Sequence, residues 1–483
     1  MKHIGYKAQV EVKGFEEGGL GVTSLELPNK QKPSKVVIPE SIPGEIIDIE
    51  LHHIHKKDYW AEINQMHRAS PYRTKPECKH FGVCGGCRWQ HMSYEGQLRY
   101  KQQGVYALFQ PLLPSEQLNQ VFHTIAPCES PWHYRNKMEF SFNHVGVEET
   151  PVLGLIELGR KQRVGNLTMC PISQPWMAEV LDVVRGWWAE SGLKAYSVTR
   201  NIGALKTLTV RQGIRTGDKM LILTATNQGG VEVTAEHKER FVEALRSFFG
   251  QAFSHVSIYF CLHIAQRGQP TRWDYQHLAG PAEIRETLYS KKGDGSIQNL
   301  TFSISPSAFF QPNTLQAEKL YTLALEKAQI KPDNTVYDLY CGTATFGLFA
   351  SSYGKHVYGV ELNAHAVADG NKNIQTNGLG DRIQLTVGDV GEVLRTWKMQ
   401  GNIPKPDVVL VDPPRAGLSP QALQHLTMLM AEKIVYLSCN PTTQAENVKY
   451  LLQAGYQIEF IQPVDQFPQT PHIENIVILS YKA

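Results

Sequence analysis

An α/β protein is predicted, with a doubly wound C-terminal domain that follows two smaller regions of different character. Three observations predict it. Successive apolar strands separated by helix-compatible segments fill 306–483. Short strands at about ten-residue spacing fill 1–70. Between them, 71–305 opens on a cysteine cluster and then mixes strands and helices.

In the first region Lys7-Ala8-Gln9-Val10-Glu11-Val12 alternates with period two, and Gly14 to Gly21 is a glycine-rich turn. Val36-Val37-Ile38-Pro39 and Gly44-Glu45-Ile46-Ile47-Asp48-Ile49 supply further strands, a pattern that suits a small OB-like β-barrel. In the second, Ser93 to Phe109 reads as a helix. Leu205-Lys206-Thr207-Leu208-Thr209-Val210 and Met220-Leu221-Ile222-Leu223-Thr224 read as strands. The third holds Thr335–Tyr340, His356–Val360, Arg382–Val387, Asp407–Val411 and Ile434–Leu437, with a last strand at Ile476–Leu479. Continuous apolar runs of this length belong to parallel strands covered by helices on both faces.

A chain of 483 residues with 42% hydrophobic and 19% charged residues is expected to fold as two or three globular domains. No apolar run approaches the roughly 20 residues of a membrane span, and Met1 to Lys7 leads straight into strand-like sequence. These features point to a soluble, cytoplasmic monomer without membrane contact. A net charge of +2 carries no argument for nucleic acid. Locally, however, Lys56 to Lys101 holds nine Lys or Arg against four Asp or Glu, which would favour a phosphate backbone or simply form a solvated surface.

Ligands of doubly wound sheets collect where strands end. The first strand runs into Asp338-Leu339-Tyr340-Cys341-Gly342-Thr343-Ala344-Thr345-Phe346-Gly347, and the second ends in Glu361, placed for ribose hydroxyls. The third ends in Gly388-Asp389, suited to an adenine edge, and the fourth in Asp412-Pro413-Pro414-Arg415. Ala344 breaks the G-x-G-x-x-G pattern, which weakens a phosphate cradle. S-adenosylmethionine has no phosphate, so it fits better than a dinucleotide, although a NAD site or incidental acids remain open. The fifth strand ends in Ser438-Cys439-Asn440-Pro441, and Glu474 precedes the last. A thiolate that adds to carbon 6 of uracil makes carbon 5 nucleophilic, and a carboxylate then removes the surplus proton there. Cys439 and Glu474 suit those roles. A lone cysteine is more often a core residue, and Cys341, inside the loop, is the rival nucleophile.

Four motifs, Asp412-Pro413-Pro414-Arg415, Ser438-Cys439-Asn440-Pro441, His472-Ile473-Glu474 and Phe309-Phe310-Gln311-Pro312-Asn313, together resemble the RNA 5-methyluridine methyltransferase family. The likeness covers nearly the whole chain and is greatest to the type that acts on bacterial 23S rRNA. It implies a cysteine nucleophile at Cys439 and a base at Glu474. It also implies S-adenosylmethionine contacts at Gln311, Tyr340, Glu361 and Asp412, with Thr345 and Asp389 beside them. Ala344 departs from the family's glycine. Lys7 to about Met66 resembles the RNA-binding TRAM barrel. Tyr134 to Phe140 resembles a segment facing RNA, though its residues alone suit core packing equally.

Cys78-x5-Cys84-x2-Cys87 offers three thiolates to zinc or an iron–sulfur cluster, or is no metal site at all. The resemblance implies [4Fe–4S] with Cys170 as fourth ligand, Cys128 being the alternative, in a structural or RNA-binding role. The tRNA-directed relatives typically lack both this cluster and the barrel, so ribosomal RNA is expected. The rival readings are a tRNA 5-methyluridine enzyme, an amino-group methyltransferase, and a non-catalytic RNA-binding or ribosome-assembly factor.

Overall fold

Residues 3–482, apart from 17, 146–149, 267, 293 and 402, are described by the computed structural model. Six strands come first: β1 (Lys7–Glu11), β2 (Gly14–Phe15), β3 (Gly21–Leu25), β4 (Ser34–Ile38), β5 (Ile46–His55) and β6 (Asp58–Arg68). They form one sheet in the order β1-β5-β6-β4-β3-β2, so its two edge strands are neighbours in sequence. The alternation read from the sequence is structural: Ile47, Ile49 and Leu51 bury one face of β5 against Val10, Val36 and Ile38.

After the cysteine segment come α1 (Tyr94–Phe109) and α2 (Ser115–Val121). Ser93 caps α1 by accepting from the Gly96 N–H at 3.3 Å. The strands β7 (Lys137–Val145), β8 (Thr150–Glu157), β9 (Arg160–Asn166), β10 (Gly203–Gln212), β11 (Lys219–Gly229), β12 (Val256–Ile264) and β13 (Arg272–Ala279) build a central sheet. Its order is β13-β12-β11-β10-β7-β8-β9. Helices α3 (Trp176–Ser191) and α4 (Ala235–Phe249) cover one face, where Trp187, Trp188 and Phe241 pack on Phe140, Leu208 and Leu223. A hairpin of β14 (Ile284–Lys291) and β15 (Ile297–Ile304) follows.

The C-terminal elements are α5 (Thr314–Ala328), β16 (Thr335–Leu339), α6 (Thr345–Ala350), β17 (His356–Glu361), α7 (Ala364–Thr376), β18 (Ile383–Val387), α8 (Val390–Gln400) and β19 (Val408–Val411). Then come α9 (Pro420–Leu429), β20 (Lys433–Ser438), α10 (Pro441–Gln453), β21 (Tyr456–Val464) and β22 (Glu474–Tyr481). The sheet order is β18-β17-β16-β19-β20-β22-β21, a doubly wound α/β arrangement. Five parallel strands stand where the sequence predicts them, and β22 lies antiparallel between β20 and β21. The order reverses between β16 and β19, which opens a crevice at their carboxyl ends. Side-chain caps start five of its helices: Asn313 for α5, Asn363 for α7, Asp389 for α8, Ser419 for α9 and Asn440 for α10. No helix among the described residues is long and apolar enough to cross a membrane.

Helices α1 and α2 pack on this sheet: Val105, Phe109 and Leu118 share a core with Ile434, Ile461 and Leu479. The buried stripe of α1 also holds Gln97 and Lys101. Lys101 Nζ lies 2.6 Å from Asp465 Oδ1, both side chains being wholly inaccessible. Removing one member of such a pair strands the other charge. Lys101→Ala should therefore lose about 3–5 kcal/mol in urea denaturation, and Lys101→Met with Asp465→Leu should recover most of it.

Candidate active site

The crevice holds a cavity of about 780 Å³, within the roughly 300–1,000 Å³ of small-molecule sites. Gln311, Tyr340, Thr345, Glu361, Asp389, Asp412, Cys439 and Glu474 all line it, so the structure brings together every cofactor-site and catalytic candidate named from the sequence. They come from the loop before α5 and from the ends of β16 to β20, with Glu474 opening β22.

After β16 the chain doubles back through left-handed Tyr340 (φ 66°), Gly342 (φ 54°) and Ala344 (φ 61°). The loop is held from the next strand, because Gly342 N–H donates to Glu361 Oε2 at 3.1 Å while Asn363 N–H donates to Oε1 at 2.8 Å. Beneath it Asp338 is buried, and burial pushes its carboxyl up to about 8. A side chain at Gly347 would stand 2.8 Å from that carboxyl. Ala344 pays roughly 1 kcal/mol for its left-handed backbone, and its fully buried methyl returns a similar amount. The departure from glycine thus leaves the loop's path intact.

Asp389 caps α8, its Oδ1 accepting from Glu392 N–H at 3.2 Å. Burial raises the carboxyl pKa values of Asp412 and Glu474, and the nearness of Asp412 raises Glu474 further against the pull of Arg415. Burial and the same two carboxyls push the Cys439 thiol up to about 11, with Arg415 opposing. His472 is held neutral, its pKa brought down to about 4 by burial and surrounding cations. Cys341 lies at the base of the loop, and burial drives its thiol well above the usual range. Arg135, Tyr321, Phe467 and Arg415 also face the cavity. Arg415 belongs to a motif the sequence displays. Arg135 lies in the Tyr134 to Phe140 segment, singled out in the sequence for its likeness to one that faces RNA, whereas Tyr321 and Phe467 come from distant segments.

The 465–473 loop, which ends at Glu474, is clamped from several sides. Gln97 donates to Gln469 Oε1 at 2.9 Å and accepts from Gln469 N–H at 2.8 Å. Arg88 and Trp89 N–H both donate to Gln469 O. Lys101 donates to Phe467 O at 3.0 Å and Tyr134 Oη to Pro468 O at 2.9 Å.

Cys78, Cys84, Cys87 and Cys170 line one small, largely apolar cavity with Phe81, Leu155 and Ile172. Cys128 lies elsewhere, its thiol 3.3 Å from Ser130 O and 3.5 Å from Asn313 Nδ2. The expected [4Fe–4S] centre is not shown. Among the described residues no three His, Cys, Asp or Glu side chains are grouped to hold a metal ion. The thiols of Cys78, Cys84 and Cys87 each lie near that of Cys170 along this cavity wall.

Two measurements check this geometry. Ala344→Gly should change unfolding free energy by no more than about 1 kcal/mol, the backbone and methyl terms cancelling. A thiol at about 11 stays protonated at neutral pH. Iodoacetamide labelling of Cys439, read by peptide mass spectrometry, should therefore climb about tenfold per pH unit from pH 7 towards pH 10. A plateau by pH 8 would contradict the burial described.

Comparisons with known proteins agree with this architecture. The family model described as tRNA (uracil-5-)-methyltransferase matches residues 295–482. An uncharacterized RNA methyltransferase of Protochlamydia amoebophila is 42% identical over 92% of this chain and 99% of its own. Another from Halalkalibacterium halodurans is 32% identical over 98% of this chain and 97% of its own. The crystal structure of the Pyrococcus abyssi tRNA (uracil-54, C5)-methyltransferase, in complex with S-adenosyl-L-homocysteine, shares the fold. Its TM-score is 0.72 at 23% identity, over 98% of this chain and 100% of that one. The chain belongs to the RNA (uracil-5-)-methyltransferase family and is an S-adenosylmethionine-dependent enzyme.

Proposed function

We propose that the chain methylates carbon 5 of a uridine in 23S rRNA, with Cys439 as nucleophile and Glu474 as base. The observation that carries this is the shared cavity, in which a thiol and a largely buried carboxyl face the same crevice as the loop after β16. S-adenosylmethionine supplies an electrophilic methyl group when bound. The donor set fits a ligand with cationic ammonium and sulfonium groups, since Asp338, Glu361, Asp389 and Asp412 ring the cavity. Glu361 is placed for the ribose, Asp389 for the adenine, and Gln311, Tyr340, Thr345 and Asp412 for the methionine end.

Sγ of Cys439 gives its proton to solvent water and bonds to carbon 6 of the uracil, and the displaced π pair makes an enolate. Arg415 is the group in the site that favours the thiolate. Carbon 5 takes the methyl group as the bond to the sulfonium sulfur breaks, the pair staying on sulfur as a neutral thioether, and carbon 5 is left with one surplus proton. Glu474 accepts that proton, the double bond reforms, and Cys439 is expelled as thiolate. A carboxyl held in a desolvated pocket is a stronger base than one in water once ionised.

In this reading the N-terminal sheet acts as an RNA-binding TRAM barrel. The pocket of Cys78, Cys84, Cys87 and Cys170 seats a [4Fe–4S] cluster that cross-links 78–87 to 170. The enzyme works as a cytoplasmic monomer. A tRNA substrate is the second reading, favoured by the printed description of the matching family and by the substrate of the Pyrococcus abyssi enzyme.

Incubation with 5-fluorouridine-containing 23S rRNA fragments and S-adenosylmethionine should give a methylated RNA adduct on Cys439, seen by mass spectrometry. Cys439→Ser should abolish it. Glu474→Gln should accumulate the methylated adduct with ordinary uridine, because only the final proton removal fails. An adduct with tRNA but not rRNA would move the substrate. No adduct with either, from a protein that binds S-adenosylmethionine, would favour the amino-group reading, and failure to bind it the non-catalytic one.

A further inference from the structure

The central sheet has one face under α3 and α4; on the other, Met220, Ile222, Tyr259 and Cys261 are buried against β14, β15 and Phe310, and only the edge at β13 stands open. On that second face edge strand β13 presents Trp273, Tyr275 and His277 at alternate positions. They pair across the strand with His263, Cys261 and Tyr259 of β12. Trp273 is 48% and Tyr275 38% exposed, which is unusual for rings this large when they lie side by side. A strand exposed along six consecutive residues buries little to justify its aromatics. The rings are nevertheless ordered by neighbours. His263 stands edge-on to Trp273 at 4.4 Å, and Tyr259 to His277 at 5.1 Å. Lys206 Nζ lies 2.9 Å from His263 Nδ1, and Arg272 precedes the row.

This face runs towards the catalytic cavity. Tyr275 lies near Arg211, whose buried guanidinium donates to Ala308 O at 2.8 Å and Ser305 O at 3.3 Å. The loop so held lines the cavity with Ser307 to Phe310, and Phe309 there is 68% exposed. An ordered row of aromatic faces, flanked by cations and continuous with the site that must receive an unstacked base, matches what binds single-stranded RNA.

We infer that the exposed β13 edge of this sheet is a stacking platform for the single-stranded RNA next to the target uridine, with Trp273 and Tyr275 as its principal rings. The inference rests on the chain acting on RNA, and it does not depend on which carbon is methylated. Bases unstacked when the uridine leaves its helix regain stacking on these rings. Part of the cost of extruding the target is thereby offset.

The test uses the full-length protein and a fluorescein-labelled dodecamer of uridine, with binding followed by anisotropy at fixed salt. Trp273→Ala with Tyr275→Ala should weaken binding at least tenfold, while Trp273→Phe with Tyr275→Phe should restore most of it. The slope of log affinity against log salt should stay as in the wild type, because stacking releases no counterions. Arg272→Ala should instead flatten that slope by about one. Unchanged S-adenosylmethionine affinity serves as the folding control. Wild-type affinity in the double alanine variant would overturn the inference, and a face that docks a protein would give that same result. A 4-thiouridine dodecamer cross-linked to the wild type gives an independent reading. Adducts within 272–277 support the platform, and their absence there overturns it even if the alanine variants fail to fold. Lost dodecamer binding alongside a normal 5-fluorouridine adduct on wild type supports both readings. Intact platform behaviour without any adduct removes only the carbon-5 reading.

Discussion

The position of Glu474 depends on two side chains that reach it from the opposite end of the chain. Gln97 makes a reciprocal amide pair with Gln469, and Lys101 anchors Asp465 and Phe467 O. The loop between β21 and β22 has no regular structure of its own, and Gln469 sits in it at φ 68°. A left-handed residue in a nine-residue connection persists where its surroundings over-determine it. Here α1, the segment after the cysteines and Tyr134 all contribute. The proposed base thus stands on rigid strand β22 at one side and on a clamp from 88–134 at the other.

Desolvation sets the chemistry of the cavity. Asp338, Asp412 and Glu474 all have raised pKa values because water is excluded and the carboxyls crowd one another. A cationic ligand reverses that tendency by favouring the ionised forms. Occupancy of the cofactor site and competence of the base are therefore linked by charge. The same logic applies to Cys439, whose thiol is held protonated by burial and its carboxyl neighbours, with Arg415 pulling the other way.

Much of the C-terminal sheet is legible in the sequence because parallel strands buried on both faces read as unbroken apolar runs, as Val408–Val411 does. Strand ends then point to the cavity, which is why eight residues could be named before any geometry. Strand β21 escapes notice: Tyr456–Val464 intersperses Gln457, Glu459, Gln462 and Pro463 among its apolar positions. Strand β13 escapes for a related reason, since Arg272–Ala279 faces water almost throughout and carries no apolar alternation. Helix α1 is visible, but its Gln97 and Lys101 read as a solvated face, whereas they are its most consequential buried contacts. Arg135, Tyr321 and Phe467 reach the cavity through tertiary packing alone. The cysteine spacing points to neighbours of one another and says nothing about how tightly they converge.

The amide pair between Gln97 and Gln469 also limits how such enzymes can be recombined. An N-terminal part transplanted from a relative invites a cut at the start of the region matched by the family model. Helix α1 belongs energetically to the other side of that cut. A chimera joined after the central sheet would bring a foreign helix to the loop before Glu474, with its register against Gln469 and Asp465 left to chance. Joints placed before Arg88, with residues 88–134 kept from the catalytic parent, would carry the clamp across intact.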